Sequence, residues 1–271
     1  MANFGSITHV VSVDVSDRIV GGTLSKGNQI KWYKNGVWYK ADYLGYEGLA
    51  EHICSALLKA SNVKSFVEYE IIVINETEGK DSYLGCKSNN FPLTGVFHSV
   101  ESLLHRLPDK YNVFLEPRQT LKASVYDFCA GIEKYFYVDI IGDIIEMLAF
   151  DFIVGNEDRH LINFGLVENE DRFVFAPLFD HGLSLLSDMK SDAQYTCIDE
   201  IVYKPFDHLR KGGHGLDSIL CRPLSIDTVK FICEEKKIRN AGIYPINIID
   251  RAMGVLYKSL DETEGSLWTK G

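Results

Sequence analysis

A short polar segment near the middle of the chain carries residues that could transfer a phosphoryl group. It reads Gly-Asn-Glu-Asp-Arg-His-Leu-Ile-Asn-Phe-Gly from residue 155 to residue 165. Phosphoryl transfer needs a carboxylate that orients the attacking hydroxyl and a metal-binding amide a fixed short distance away. Asp158 and Asn163 have the D-x-x-x-x-N spacing of such a pair. The segment therefore predicts a catalytic loop.

The same spacing also occurs just upstream, at Asp151 and Asn156. Asp151 falls inside a helical repeat of apolar residues, where we expect a capping or surface role. Asp158 instead lies in a loop after that helix, at a Gly-Asn break where the helix must end. For Arg159, which follows Asp158, an ion pair with a nearby carboxylate and a solvated side chain both stay open. The pair Asp158 and Asn163 is therefore preferred.

A second carboxylate is predicted to lie beside Asn163. Residues 164–167 and 172–179 have the pattern of two strands joined by a polar turn. A hairpin brings its two ends together, so Asp180, which follows the second strand, should be a neighbour of Asn163. An amide oxygen and a carboxylate suit Mg²⁺, which takes one or two protein ligands besides phosphate oxygens. A turn or helix-cap role for Asp180 is the alternative interpretation.

The elements that must position these residues change in type along the chain. Residues 1–91 read as short strands separated by glycine turns, with an Asn-Gly hairpin signal at residues 35–36 and one amphipathic helix at residues 46–61. After Phe91-Pro92 helical spacing dominates. We therefore predict an α+β fold with two lobes, residues 1–91 and 92–271, and a cleft between them.

These motifs resemble the catalytic core of the HipA-like bacterial serine/threonine kinases, with the compact CtkA-type members matching best in size. The resemblance rests on Gly-Asn-x-Asp-x-His-x-x-Asn-Phe and on the Ala-Pro-Leu-Phe-Asp sequence that ends at Asp180. The Asp-Arg-His-x-x-Asn and Phe-Asp-x-Gly pieces also resemble the more distant phosphatidylinositol 3/4-kinases. The resemblance implies a two-lobed kinase fold that uses ATP and Mg²⁺.

The resemblance also implies roles for individual residues. Asp158 would orient the substrate hydroxyl, Asn163 and Asp180 would hold Mg²⁺, and His160 would support the loop or the phosphates. Lys40 resembles the lysine that pairs with the ATP phosphates and needs a glutamate from the following helix. Lys31, on the preceding strand, and Lys34, at the hairpin, are the alternative candidates for this lysine. Glu47 and Glu51 lie one helical turn apart and are both candidates, with Glu51 the better fit.

A loop at residues 23–29 resembles the family's phosphate-covering loop. Ser25, Gly27 and Asn28 would contact the nucleotide there, with Lys31 in register on the next strand. A plain glycine-containing hairpin is the alternative. The family's habit of autophosphorylating this loop implies a modified residue at Ser25 or Thr23. Residues 86–91 would form the hinge beside the adenine.

The overall charge narrows the choice of partners. The 271-residue chain carries 28 Lys and Arg against 38 Asp and Glu, a formal net charge of -10. An acidic chain repels phosphate backbones, so direct nucleic-acid binding is not expected. No stretch has the composition of a membrane span or a signal peptide, and six scattered cysteines suit a reducing compartment, so we expect a cytoplasmic protein. Because the family's extra N-terminal subdomain is missing, an antitoxin-like partner is not expected either.

Three functions remain open at this level. The first is a kinase that phosphorylates Ser or Thr of a protein. The second is a phosphoinositide or small-molecule kinase, but residues 182–201 hold only Lys190 against four carboxylates, and anionic headgroups call for basic residues. The third is a pseudokinase that binds nucleotide as a scaffold. The polar residues of a working kinase, Lys40, Asp158, Asn163 and Asp180, are all present. The sequence therefore favours the protein kinase.

Overall fold

The computed structural model describes residues 9–19, 29–77, 81–91, 94–111, 121–170, 172–189 and 223–271. The strands are β1 (Val10–Val13), β2 (Lys31–Lys34), β3 (Val37–Ala41), β4 (Tyr69–Glu76), β5 (Ser82–Asn89), β6 (Val96–Ser99), β7 (Gly165–Asn169), β8 (Arg172–Phe175), β9 (Leu224–Ile226) and β10 (Trp268–Lys270). The helices are α1 (Glu47–Lys59), α2 (Val100–Leu104), α3 (Leu121–Phe136), α4 (Ile141–Val154), α5 (Thr228–Ala241) and α6 (Ile246–Thr263). The fold is therefore a mixture of helices and sheets, as the sequence predicts.

A five-stranded sheet occupies the first part of the chain, in the order β1-β4-β5-β3-β2. The predicted hairpin between β2 and β3 is confirmed: Asn35 and Gly36 have φ angles of 51° and 79°, the left-handed values that this turn requires. The register pairs Lys31 with Lys40 and Lys40 with Cys86. Paired residues point to the same face of a sheet, so this face carries two lysines side by side.

Helix α1 packs between this sheet and the rest of the protein. Leu49, Ile53 and Leu57 are fully buried, which confirms the predicted helical spacing. The end of the helix is tied to the C-terminal region, where the Asp227 amide donates to the Ala60 carbonyl at 2.8 Å. The apolar residues of α1 belong to one continuous core that also includes α4 and α6. The helix is therefore held along its length by elements far away in sequence.

A three-stranded sheet, β6-β7-β8, lies in the second part of the chain. Gly155 ends α4 with a φ of 62°, at the predicted break. The β7–β8 hairpin forms as expected, but β8 ends at Phe175 instead of residue 179. Beyond it, Leu178 pairs with the segment before β4, where the Val67 amide donates to the Leu178 carbonyl at 2.9 Å. The segment after β8 therefore connects the three-stranded sheet to the segment that leads into β4 of the five-stranded sheet.

Sequence reasoning missed α3 and the small parallel pair β9–β10. The buried residues of α3 nevertheless recur at helical spacing at Val125, Phe128, Ile132 and Phe136. Among the described cysteines, Cys54, Cys86 and Cys129 are buried and Cys233 is exposed. Across the described residues, none of the helices combines the length and apolar content that crossing a membrane requires. The lobe boundary at residues 91 and 92 stays a prediction.

Candidate active site

The ammonium group of Lys40 lies between two carboxylates. Its Nζ atom is 2.7 Å from Glu51 Oε1 and 2.7 Å from Asp180 Oδ1. Lys40 and Asp180 are 140 positions apart in the chain, so only the tertiary fold joins them. The Lys40 side chain also lies over the Tyr69 ring, 5.2 Å from its centroid. The structure therefore brings together three residues that the sequence had proposed for one nucleotide site.

The two candidate glutamates of α1 have different tasks. Glu51 is buried and uses its second oxygen to accept the His181 amide at 2.8 Å. Glu47 does not reach Lys40: its carboxylate accepts the backbone amides of Tyr43, Leu44 and Gly45 at 2.6–3.2 Å. Glu51 is thus the partner of Lys40, and Glu47 organises the loop that leads into α1.

Asp180 is held in an unusual backbone conformation. Its φ angle is 61°, in the left-handed region, and its amide donates to the Tyr69 hydroxyl at 3.3 Å. Burial opposes ionisation of the carboxyl, but Lys40, followed by Lys31, holds its pKa well below the usual range. Burial likewise opposes the charge of Lys40, and the carboxylates of Asp180 and Glu51 outweigh it and raise its pKa. Both charges therefore persist at neutral pH.

The predicted catalytic loop presents Asp158 to solvent. The Asp158 side chain is 39% exposed, and its backbone amide donates to Asn156 Oδ1 at 3.1 Å. The Asn163 side-chain nitrogen donates to the Asp158 carbonyl at 3.0 Å. His160 Nε2 lies 3.6 Å from Asp158 Oδ2, and His160 Nδ1 accepts the Ile162 amide at 3.3 Å. The loop is thus built around the backbone of Asp158, and the carboxylate reaches the cleft.

Asp151 has neither the surface nor the capping role that the sequence suggested. It is fully buried at the end of α4, and both of its carboxylate oxygens are bonded to the Arg159 guanidinium, at 2.7 Å and 3.0 Å. The expectation was wrong because the helix face that carries Asp151 packs against the loop that follows the helix. Of the two alternatives for Arg159, the same contacts show the ion pair: its side chain is buried against Asp151 and is not solvated.

Arg159 also joins the two halves of the site. Its Nη1 atom donates to the Asn163 carbonyl at 2.6 Å and to the Phe179 carbonyl at 2.8 Å. Phe179 immediately precedes Asp180, so one guanidinium nitrogen holds the backbone next to both predicted metal ligands. The backbone at Asn163 therefore lies close to Phe179, the residue before Asp180, as the predicted hairpin requires. Sequence reasoning did not assign this role to Arg159, although its position next to Asp158 is the signal that could have indicated it.

His181, which follows Asp180, is a further residue that the sequence did not single out. It is buried, packs edge-on against Phe150, and lies 3.7 Å from Asp151 Oδ1 through its Nε2 atom. Burial, followed by the nearby charge of Arg159, lowers the pKa of His181 to about 3. His181 is therefore neutral at physiological pH and fills space between the buried ion pair and the Lys40 site.

Several of these groups line one cleft. The described residues that line it are Gln29, Lys31, Tyr43, Leu44, Glu47, Glu51, Asp158, His160, Asp180, Gly182 and Leu183. Burial, together with the charge of Lys40, lowers the pKa of Lys31. The predicted nucleotide contacts Ser25, Gly27 and Asn28, and the predicted phosphorylation position Thr23, lie outside the described residues.

The donor atoms fit a magnesium ion. Because the Asn163 side-chain nitrogen is engaged with the Asp158 carbonyl, the amide oxygen is the atom left to coordinate a cation. Asp180 supplies an ionised carboxylate of which one oxygen binds Lys40. One amide oxygen and one carboxylate are the sparse protein set that Mg²⁺ accepts when phosphate oxygens complete its shell.

Comparison with solved structures shows that the chain has a kinase-like fold. It aligns with the proinflammatory kinase CtkA of Helicobacter pylori at a TM-score of 0.58 and 13% identity, over 93% of this chain and 95% of that chain. HipA, from a toxin–antitoxin complex with HipB and operator DNA of Shewanella oneidensis MR-1, aligns at a TM-score of 0.47 and 12% identity, over 91% and 65% of the two chains. No family model matches the sequence, and no curated protein matches it either.

Proposed function

We propose that the protein is a kinase that uses ATP and Mg²⁺ to phosphorylate serine or threonine in a protein substrate. One observation carries this proposal: the Lys40 ammonium lies 2.7 Å from both Glu51 and Asp180, two carboxylates that line one cleft together with Asp158. The kinase-like fold supports it. In this proposal residues 1–91 form the nucleotide lobe and residues 92–271 the lobe that carries the catalytic loop.

Lys40 would bind the phosphates of the nucleotide. Glu51 fixes the position of its ammonium group, and this glutamate is itself held by the His181 amide. Lys31 lies on the adjacent strand, paired with Lys40, and adds a second positive charge to the same face of the sheet. Two lysines on one face concentrate positive charge where phosphate oxygens would lie.

Asp158 would orient the acceptor hydroxyl and accept its proton. The side chains of Asn156 and Asn163 hold the backbone of Asp158, so the backbone from which the carboxylate extends is fixed in position. General-base and positioning work of this kind accelerates a reaction by about 10²–10⁴-fold. His160, next to this carboxylate, would stabilise its orientation and its negative charge.

Asn163 and Asp180 would hold the magnesium ion. When bound, the ion neutralises the phosphate charge and supplies electrostatic stabilisation of the transferred group. Arg159 holds the backbone next to both ligands, at Asn163 and Phe179, so the protein sets their separation before any ligand binds. Preorganisation of this kind lowers the cost of assembling the site.

The charge of the cleft favours a polypeptide acceptor over a phosphoinositide. Its described lining includes the carboxylates of Glu47, Glu51, Asp158 and Asp180. Lys31 is the one lysine in that lining, and the Lys40 ammonium is already bonded to two carboxylates. The bound nucleotide would take up the positive charge of Lys31 and Lys40. An anionic headgroup that approaches Asp158 would then find no further lysine in the described lining to neutralise it, whereas a neutral hydroxyl-bearing side chain needs none.

The test is transfer of label from γ-labelled ATP in a cell lysate, followed by separation of proteins from lipids and phosphoamino-acid analysis. We expect phosphoserine or phosphothreonine in the protein fraction, and loss of labelling when EDTA removes divalent cations. Label confined to the lipid fraction would contradict the protein acceptor, and the absence of any label would favour a scaffold.

A matched pair of lysines controls this test. Lys40→Met removes the ammonium from the site and should reduce labelling at least about a hundredfold, because that charge is aimed at the phosphates. Lys59→Met removes a lysine at the end of α1 that pairs with Glu68 at 3.2 Å, away from the cleft lining. Lys59→Met should label like the wild type. Equal loss in both variants would show that the assay reports general damage to the protein.

A further inference from the structure

Three apolar residues line the same cleft as Asp158 and Asp180. They are Tyr43 and Leu44, from the loop between β3 and α1, and Leu183, which follows shortly after Asp180. We refer to Tyr43, Leu44 and Leu183 as the apolar wall. Apart from Gly182, the other described lining residues are charged or polar. The apolar wall is therefore a local departure from an otherwise acidic and polar cleft.

Tyr43 is the most exposed member of the apolar wall. It is 41% exposed, while Leu44 and Leu183 are half-buried. A tyrosine ring with this exposure leaves part of its apolar surface accessible from the cleft, where a side chain of a ligand can pack against it. Because it lines the cleft that also holds Asp158, a partner covering it would lie next to the reacting hydroxyl.

The loop that carries Tyr43 is held rigidly. The Glu47 carboxylate accepts the amides of residues 43, 44 and 45, and the Tyr46 hydroxyl donates to the Leu185 carbonyl at 2.6 Å. A Cβ atom on Gly45 would lie 2.0 Å from the Ser187 carbonyl oxygen, so this loop and the segment after Asp180 are in close backbone contact. A rigid wall loses little entropy when a ligand packs against it.

We propose that the apolar wall is the subsite for an apolar side chain adjacent to the phosphorylated serine or threonine, and that Tyr43 is its specificity-determining residue. This inference rests on the proposed function. In an extended polypeptide successive residues rise about 3.3 Å, so a residue one or two positions from the acceptor stays within reach of the same small cleft. A leucine, isoleucine, valine or phenylalanine would bury apolar area against Tyr43 while Asp158 orients the hydroxyl.

The experiment uses the full chain, Mg-ATP and a library of synthetic peptides with a fixed serine or threonine and degenerate flanking positions. The wild type should enrich apolar residues at one flanking position. Tyr43→Ala should lower kcat/KM for the best peptide by about tenfold or more, since losing an apolar contact in a specificity pocket costs 10–200-fold. The loss should fall on the KM for the peptide rather than on the KM for ATP. Tyr43→Phe keeps the apolar ring and should stay within about threefold of wild type.

Two further variants make the result decisive. Tyr126→Ala removes a tyrosine of α3 with the same exposure, 42%, that does not line the cleft, and it should keep both the rate and the flanking preference. Leu44→Asn tests the same wall through a second residue if Tyr43→Ala folds poorly, as checked by its melting temperature.

The outcomes separate this inference from the proposed function. Labelled peptides without a flanking preference, or an unchanged preference in Tyr43→Ala and Leu44→Asn, would overturn the role of the apolar wall and leave the kinase proposal standing. A wild type that labels no peptide, or that labels phosphoinositide vesicles instead, would overturn both.

Discussion

The chain contains two Asp-x-x-x-x-Asn pairs, and the structure places them in different surroundings. Asp151 and Asn156 are both fully buried, and Asn156 Nδ2 donates to Asp151 Oδ1 at 2.8 Å. In the other pair, the Asn163 side chain bonds the backbone carbonyl of Asp158 instead of its carboxylate. The first carboxylate is enclosed by Arg159 and Asn156, whereas the second is 39% exposed and lines the cleft.

The difference shows that the buried pair positions the exposed one. The side-chain oxygen of Asn156 accepts the Asp158 amide. Arg159, which is bonded to Asp151, donates to the carbonyls of Asn163 and Phe179. Equal spacing in sequence therefore produces a buried structural pair in one case and, in the proposed function, the carboxylate that orients the acceptor in the other. What separates them is burial: the Asp151 carboxylate is fully buried, whereas the Asp158 carboxylate is partly exposed and lines the cleft. The predictions below test this division between structural and chemical roles.

Asp151→Ala should have the largest effect, and the effect should be on folding. Removing one partner of a buried ion pair leaves Arg159 charged and uncompensated, which costs about 3–5 kcal/mol of unfolding free energy. Chemical denaturation measures this change. Asp143→Ala, on an exposed position of the same helix α4, is the matched control and should shift the unfolding free energy by less than about 1 kcal/mol. An Asp151→Ala protein as stable as the wild type would contradict the structural role of the buried pair.

Asp158→Asn should leave folding intact and remove activity. The side chain is partly exposed, so the unfolding free energy should change by about 0.5 kcal/mol or less. Phosphoryl transfer from γ-labelled ATP should fall at least about a hundredfold, because the base and orienting group is lost. If this variant keeps its rate, the wrong carboxylate has been assigned to the chemistry.

Asp180→Ala should act on nucleotide binding. A ligand that binds only the folded state adds about 2.7 kcal/mol of stability at a hundredfold excess over its Kd. Mg-ATP should therefore raise the melting temperature of the wild type and of Asp158→Asn, with much less effect on Asp180→Ala. EDTA should reduce the rise in melting temperature that ATP causes in the wild type to about the rise seen in Asp180→Ala. An undiminished shift in Asp180→Ala would contradict its role as a metal ligand.

The smallest effect should be a pH dependence of the unfolding free energy that arises from His181. This residue lies between the buried Asp151–Arg159 ion pair and the Lys40 site. Its pKa in the folded protein, about 3, is below the value of 6.5 in the unfolded chain, so unfolding takes up a proton between these values. The stability of the wild type should consequently fall as the pH drops below about 6.5. His181→Phe, which keeps a ring against Phe150, should show a smaller slope between pH 6.5 and 5. A slope in His181→Phe equal to that of the wild type would contradict this assignment.

Local pattern was enough to predict most elements near the site. Apolar spacing predicted α1 and α4, and the Asn-Gly and Gly-Asn signals predicted the β2–β3 turn and the end of α4. These features depend on neighbours within one or two turns of chain, which is the range that periodicity and turn chemistry describe. The α3 helix shows the same spacing among its buried residues, but sequence reasoning did not assign it.

Residue type and short spacing were enough to identify the side chains that could bind phosphate, hold a cation and orient a hydroxyl, because these capacities are local properties of the sequence. The sequence could not choose between Glu47 and Glu51, which share a helix face and differ only in what packs opposite them. Nor could it show that Asp151 is buried, or that Tyr43 lines the cleft with Asp158. Tertiary structure decided these points, because each depends on contacts between segments far apart in the chain, and helical or strand periodicity carries no information about which distant segment meets a given face.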